Sequence, residues 1–447
     1  MPDEARIEEE LQAIGRELAA AFPSRARHPV RAIDEKAMDL AARDAELRAA
    51  LFRLVDVTPA CRSLDDLGDH LVGYLSEVDS RNASIEAAMR MGGSRAGRAA
   101  LGAACAAGVR HMAHRFIAGE SPDAARGELT RLWKAGVAAS VDLLGEATVT
   151  AAEADRYAER CASALESLSA TYGDLPDRPM LELDSSGGLP RANLSAKVTA
   201  LTPRLSPEAP DIGREDAGRR LQPLLLQAKR LGAHVHVDME SLDSLETTVD
   251  LVLRLLGEDE LRDGPSVGVV VQAYLRDSPA AVDGLLDWAR STSRPVPLSV
   301  RLVKGAYWDH EVADARQRGF GPQVFEGKEH SDRNFERLTR TLLDARPLVR
   351  VAVASHNLRS VSHAIAYDRL TGGDGADLEL QVLRGLGDDL QHALAATGRR
   401  VRAYCPVGEL VAGMAYLVRR LLENTSNESF LAEQARGAEL EELLAPP

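Results

Sequence analysis

The chain has 447 residues, a length that fits two or three domains or one large barrel with an added region. Lys and Arg number 54 against 68 Asp and Glu, and the resulting net charge of −14 has the wrong sign for a generic nucleic-acid binder. The 45% hydrophobic content excludes a disordered chain, and no uncharged apolar run approaches the roughly 20 residues that span a bilayer. The acidic start has neither the basic region nor the apolar stretch of a signal peptide. Cys61, Cys105, Cys161 and Cys405 lie far apart with no CxxC, so neither a disulfide framework nor a structural zinc site is indicated. These features predict a cytoplasmic protein.

The first third, residues 1–183, reads as helical. Ala and Leu recur at three- and four-residue spacing in Glu8–Phe22, Ala37–Val55 and Arg98–Ile117. Ser121, Pro122 and Asp123 supply a capping oxygen, an N1 proline and a first-turn acid, and Thr150 with Glu153 forms a capping box. No strand is expected here. The turn-rich stretch from Asp184 to Pro190 reads as a boundary, placing a second region at residues 184–447.

After that boundary β-type runs alternate with helical ones. The strand runs are Ala192–Leu201, Ala233–Met239, Ser266–Tyr274, Leu298–Val303, Val349–Ser355, Leu378–Leu383 and Val401–Tyr404. Helical patterns at Ala217–Leu231, Ser241–Leu256, Ala280–Ser291, Asp332–Leu343 and Leu410–Asn424 separate them. Such alternation implies a parallel sheet with right-handed crossovers, either doubly wound or a (βα)8 barrel. Polar residues decide between the two. Lys197, Asp238, Gln272, Arg301 with Lys304, His356 with Asn357, Gln381 and Tyr404 sit on or just after every run, which suits a barrel whose chemistry gathers at strand carboxyl ends.

Two segments combine charge with aromatic surface. Arg301-Leu-Val-Lys-Gly-Ala-Tyr-Trp308 delivers Arg301 and Val303 to one strand face, then Lys304, a flexible Gly305 and two rings suited to an anionic or planar ligand. In Leu410–Asn424, Tyr416, Arg419, Arg420 and Glu423 fall at i, i+3, i+4 and i+7 and share one helix face, a candidate carboxylate clamp. His234-Val-His236-Val-Asp238 is an HxH of the kind barrel metallohydrolases use, but it falls on the second expected strand with no later histidine pair to complete a site, so no metal is expected. No complete GxGxxG is present, and Gly327-Lys328 lacks the rest of a Walker A loop, so any nucleotide cofactor must be held by the barrel itself.

Arg301-Leu-Val-Lys-Gly-Ala-Tyr-Trp-Asp309, Tyr404-Cys-Pro-Val-Gly408 and Tyr416-Leu-Val-Arg-Arg-Leu-Leu-Glu-Asn424 together resemble proline dehydrogenase, specifically that portion of the bifunctional proline utilization A (PutA) family. Lys197-Val-Thr-Ala-Leu201, Val237-Asp-Met-Glu240, Val271-Gln-Ala-Tyr274, Ala354-Ser-His-Asn357 and Asn427-Glu-Ser-Phe430 extend the likeness over about residues 110 to 435. The resemblance implies a distorted (βα)8 barrel preceded by a helical region. It also implies noncovalent FAD and oxidation of L-proline to Δ1-pyrroline-5-carboxylate, with electrons passed to a membrane quinone.

Carried residue by residue, the resemblance places Arg419, Arg420 and Lys197 on the proline carboxylate. Tyr404, Tyr416, Tyr307 and Leu383 would surround the ring, with Asp238 at the back of the site. FAD would contact Gln272, Arg301, Val303, Lys304, Gly305, Ala306, Trp308, Ser355, His356, Asn357, Gln381, Glu423, Ser429 and Phe430, with Met239, Val270 and Lys328 in weaker positions. Arg301 is expected to favour the anionic reduced flavin. The chain ends at Pro447 soon after the expected barrel, so it is expected to be monofunctional or a truncated form, without the aldehyde dehydrogenase half. A separate pyrroline-5-carboxylate dehydrogenase is then the expected partner. The N-terminal helices are expected to pack around the barrel or mediate a homodimer. Quinone access would require peripheral attachment at the inner face of the cytoplasmic membrane. Two other readings remain open from the residues: a zinc hydrolase built on His234 and His236, and a catalytically silent barrel holding an anionic metabolite through Arg419 and Arg420.

Overall fold

The structure is a computed structural model that describes residues 2–23, 44–79, 83–145, 147–409, 413 and 439–447. Among the described residues six α-helices come first: α1 Glu4–Ala20, α2 Ala45–Val57, α3 Leu64–Ser76, α4 Ala83–Met91, α5 Arg95–Phe116 and α6 Pro122–Lys134. Helix α1 buries Ile7, Leu11, Ile14 and Leu18, a stripe with the 3.6-residue period that its sequence announces. The expected cap of α6 forms, with Ser121 Oγ accepting from the Ala124 N–H at 3.2 Å. Leu47, Ala50, Leu75, Val78 and Ile85 make a small core of their own among the early helices. Phe116 and Ile117 instead pack with Leu144 and Leu386, against the end of the barrel that carries the site.

The barrel is closed and all parallel. Its eight strands are β1 Val137–Leu143, β2 Asn193–Lys197, β3 His234–Asp238, β4 Ser266–Gln272, β5 Leu298–Val303, β6 Val349–Ala354, β7 Leu378–Leu383 and β8 Val401–Val407. Strand β1 corrects the expectation that the first third holds no strand. Its sequence, Val-Ala-Ala-Ser-Val-Asp-Leu, carries two alanines of low β propensity, and all seven residues are buried, so neither composition nor alternation marks it. The barrel therefore starts well before residue 184. Strand β1 pairs with β8 from Val137↔Val401 through Leu143↔Val407, but meets β2 only at Val141↔Leu194 and Asp142↔Ser195.

The expected strands lie where their runs suggest, with shifted ends. The run Ala192–Leu201 extends only to Lys197 before Val198–Leu201 turns helical, and Val401–Tyr404 lengthens to Val407. The outer layer includes α7 Ala151–Gly173, α8 Pro210–Leu231, α9 Leu242–Gly257, α10 Ser278–Thr292, α11 Trp308–Gln317, α12 Lys328–Asp344, α13 Leu358–Leu370 and α14 Asp388–Ala396. The Thr150–Glu153 capping box opens α7. The Leu410–Asn424 helix falls outside the described residues except for Gly413.

The turn-rich stretch near residue 184 forms a small hairpin, Leu183–Asp184 against Gly187–Gly188. Arg350 holds Asp184 at 2.7 Å and Arg400 donates to the Met180 carbonyl at 2.9 Å, so the hairpin sits at the amino-terminal end of the barrel. Helix α1 lies against α13 through Glu8 and Arg359 at 3.0 Å.

Candidate active site

Parallel strands bring their carboxyl ends to one mouth, where a cavity of about 330 Å³ opens. Arg301 on β5 is 4% exposed and reaches across the barrel. It donates to Asp238 Oδ1 at 2.6 Å and to Gln381 Oε1 at 2.7 Å. Tyr404 on β8 donates its hydroxyl to Asp238 Oδ2 at 2.6 Å, and the Arg301 guanidinium stands 5.3 Å from its ring centre. Asp238 is thus gripped from two strands. Burial, then the charges of Asp142 and Asp238, push the Tyr404 phenol far above its ordinary range, so it stays a donor.

Lys197 at the end of β2 forms an ion pair with Asp142 of β1. Burial opposes its charge, but Asp142 and then Asp238 outweigh that penalty and raise its pKa. Glu240 accepts a hydrogen bond from the Thr199 hydroxyl, and its carboxyl is pushed up by burial. Gln272 donates to the Glu240 carbonyl at 3.1 Å. Its Oε1 is buried without a hydrogen-bond partner among the described residues.

On the β5–β6 side, Lys304 and Lys328 converge on Asp332, the latter at 2.8 Å. Two ammonium groups share one carboxylate, which leaves a local positive surplus. Burial depresses Lys304, while Asp332 stays below the ordinary carboxylate range because the two lysines outweigh its own burial. Gly305 has φ 139°, and a Cβ there would stand 2.5 Å from the Tyr274 ring. His356 Nε2 accepts from the Leu383 N–H at 2.8 Å, which fixes its other nitrogen as the protonated one.

The cavity gathers most of the sequence-predicted site. Lys197, Asp238, Tyr307, Leu383 and Tyr404 line it together with Met239, Val270, Gln272, Arg301, Val303, Lys304, Gly305, Ala306, Ser355, His356 and Gln381. Trp308, Lys328 and Asn357 do not line it. The Trp308 indole donates to the Phe325 carbonyl at 2.8 Å, and Asn357 caps α13 by accepting from the Ser360 N–H at 3.0 Å. Tyr416, Arg419, Arg420, Glu423, Ser429 and Phe430 lie outside the described residues.

The His234–His236 pair lies lower in the barrel. His234 Nδ1 meets Ser266 Oγ at 2.9 Å, its Nε2 meets His236 Nδ1 at 3.2 Å, and His236 Nε2 meets the Val269 carbonyl at 3.2 Å. Since a carbonyl only accepts, protons run one way along this chain and every ring nitrogen is engaged. Burial, then Arg402, lowers His234 to about 3. Gly268 leaves the room His236 needs, since a Cβ there would stand 2.2 Å from its Nδ1. The pair is a packed neutral relay, and the zinc-hydrolase reading loses its ligands.

Residues 125–433 match the proline dehydrogenase family. The chain belongs to that family. Residues 8–116 separately match the proline utilization A N-terminal domain, so that match ends with α5 and the proline dehydrogenase match begins on α6. Bifunctional protein PutA of Klebsiella aerogenes is 33% identical over 349 residues, which are 76% of this chain and 25% of that protein. The chain thus spans about a quarter of the length of such relatives. Proline dehydrogenase 1 of Bacillus subtilis subsp. natto is 28% identical over 327 residues, 72% of this chain and 90% of its own length. The solved structure of PutA from Bdellovibrio bacteriovorus inactivated by N-propargylglycine superposes with a TM-score of 0.90 at 33% identity, covering 99% of this chain and 44% of that one.

Against the proline dehydrogenase motifs, Asp142, Glu240, Ala354 and Val382 are cavity residues that the sequence did not single out. Glu240 and Ala354 belong to the segments Val237-Asp-Met-Glu240 and Ala354-Ser-His-Asn357, where a position two beyond Asp238 or next to Ser355 is a usable signal. Asp142 had none, because its strand was invisible.

Proposed function

We propose that this chain is an FAD-dependent L-proline dehydrogenase that oxidises L-proline to Δ1-pyrroline-5-carboxylate and passes the electrons to a quinone. The observation that carries the reading is one cavity lined both by Lys197, Asp238 and Tyr404 and by Arg301, Gln272, Lys304 and Gln381. The first set suits an amino acid and the second a flavin.

The residues present fit FAD. The Gln272 Oε1 acceptor is buried and lacks a donor among the described residues, a costly state that a flavin ring N–H or a ribityl hydroxyl would relieve. The positive surplus of Lys304 and Lys328 suits a pyrophosphate. Gly305 lines the cavity without a side chain, the place of a Cβ being taken by the Tyr274 ring. Arg301, Val303, Ala306, Ser355, His356, Gln381, Met239 and Val270 would complete the hold, with Glu423, Ser429 and Phe430 from outside the described residues. When bound, FAD supplies the two-electron acceptor for a hydride.

Proline oxidation breaks the C5–H bond with its electron pair leaving as hydride, forms C=N from the nitrogen lone pair, and releases the N–H proton. The chain's own contribution is positioning. Lys197, with Arg419 and Arg420, would fix the carboxylate, and Tyr307, Leu383, Tyr404 and Tyr416 would fix the ring. Asp238, aligned by Arg301 and Tyr404, presents a carboxylate whose orientation is already set. The product would pass to a separate pyrroline-5-carboxylate dehydrogenase. No helix among the described residues is long and apolar enough to cross a membrane, so delivery of electrons to a membrane quinone would occur at the surface. The test is direct: purified protein should be yellow and bleach under anaerobic conditions on adding L-proline. Colourless protein, or a flavin spectrum indifferent to L-proline, refutes the reading.

A further inference from the structure

We propose that Asp142 is a positioning residue for the substrate, holding the Lys197 side chain at the cavity floor before the proline carboxylate arrives. The inference rests on the reading of Lys197 as a carboxylate contact. Asp142 is the sixth residue of β1 and pairs in register with Ser195, two residues before Lys197 on the neighbouring strand. A side chain two residues further along β2 points the same way, so Lys197 reaches back over one step of the ladder to its partner.

The other acids of the floor are committed elsewhere. Asp238 is taken by Arg301 and Tyr404, and Glu240 by the Thr199 hydroxyl. Asp142 itself is 2% exposed and forms its ion pair with Lys197. The backbone N–H of Lys197 also donates to the Tyr157 hydroxyl at 3.2 Å, so the base of the side chain is pinned from α7 while its tip is pinned from β1.

This arrangement answers a physical problem. A buried ammonium with no counter-ion sheds its proton, and a neutral amine attracts a carboxylate far less. Burial is the largest influence on Lys197 and works against its charge; Asp142 is the largest influence in its favour. An ammonium has three donors, and Asp142 takes one in the hydrogen-bonded pair, so donors remain for a second acceptor. Charge and aim are thus set before binding.

The flavin-loaded full chain is compared as wild type, Asp142→Asn, Asp142→Glu and Lys197→Met, measuring KM and kcat for L-proline from pH 7 to 9. Binding of cyclopentanecarboxylate, which keeps the ring and carboxylate but lacks the amine, is followed by the flavin spectrum. Asp142→Asn is expected to raise KM roughly 10- to 100-fold with a smaller change in kcat. Its KM should climb further with pH as Lys197 loses its proton, while the wild-type KM shows no such climb from Lys197. Cyclopentanecarboxylate should weaken in parallel. Asp142→Glu, which keeps the charge, should restore most of the affinity and remove the climb of KM with pH, and it carries the test if the Asn variant does not fold. A raised KM in Lys197→Met with an unchanged KM in Asp142→Asn, or a KM in Asp142→Glu that climbs with pH where the wild type's does not, overturns the role of Asp142 and leaves the proline reading standing. An unchanged KM in Lys197→Met overturns the carboxylate contact itself, and the inference with it.

Discussion

Replacing Arg301 with Met is expected to destabilise the barrel substantially, because this one side chain ties its own strand β5 to four others at the cavity. It donates to Asp238 of β3 at 2.6 Å and Gln381 of β7 at 2.7 Å, with longer contacts of 3.4 Å to Ser140 of β1 and Ser195 of β2. Methionine fills much of the volume but leaves the Asp238 carboxylate buried with only the Tyr404 hydroxyl as donor among the described residues. Breaking a buried pair by removing one partner costs about 3–5 kcal/mol. At about 1 °C per kcal/mol for a chain of this size, the melting temperature should fall roughly 3–5 °C. Thermal unfolding followed by circular dichroism measures this directly. Adding Asp238→Asn to Arg301→Met should recover part of the loss by removing the stranded charge, whereas independent sites would add. Arg301→Lys should fall between, since one ammonium cannot span both Asp238 and Gln381. An Arg301→Met protein melting within about 1 °C of wild type would refute the assignment of Arg301 as the tie.

Gly305→Ala should lower stability by about 2 kcal/mol and weaken flavin retention, because both the positive φ and the 2.5 Å approach to Tyr274 resist a Cβ; denaturant unfolding and flavin content after gel filtration check it. Gln272→Leu should reduce flavin affinity about tenfold while changing the stability of the flavin-free protein by less than about 1 kcal/mol, since the lost bond to the Glu240 carbonyl is offset by removal of a stranded acceptor. A flavin titration with the apoprotein decides it. His234 and His363, each lowered to about 3 by burial first, stay neutral in the folded protein while the unfolded chain takes up protons below about pH 6.5. Their contribution is therefore complete above that pH and is lost as pH falls toward 3, at about 1.4 kcal/mol per pH unit for each. Urea unfolding at pH 7 and 5 should show the decline, and a neutral replacement of His363 should lessen the slope.

How far the sequence reveals this site depends on what kind of signal each residue carries. Strands β5 and β7 are legible to their ends because apolar residues alternate with Ser299 and Arg301 in one and with Glu379 and Gln381 in the other, and both stop at a glycine turn. The residues delivered just past those ends, Lys304, Gly305 and Tyr307, then follow from the rule that barrel chemistry gathers there. Strand β1 is illegible because a strand buried on both faces needs no alternation, and its alanines read as helix in an alanine-rich neighbourhood. Asp142 is lost with it, so the partner of Lys197 could not be named although Lys197 itself could. The meaning of His234 and His236 turns on partners brought by the neighbouring strand β4, Ser266 and the Val269 carbonyl, which no local pattern contains. Trp308 is read from the sequence as a flavin contact, yet it does not line the cavity and its indole goes to the Phe325 carbonyl, a pairing set by the path of the chain between them.

The unequal pairing of β1 also bears on how the molecule is made. Its long seam is with β8, so the strand that emerges early must wait for one encoded some 260 residues later. At ordinary synthesis rates that is roughly 13 to 50 seconds, during which seven residues destined for complete burial have only a two-position contact with β2 available. Until Val407 has left the ribosome the nascent chain holds an open sheet with two bare edges, which makes it a natural client for chaperones. A ribosome stalled shortly before that residue would leave nearly all the described helices and no closed barrel.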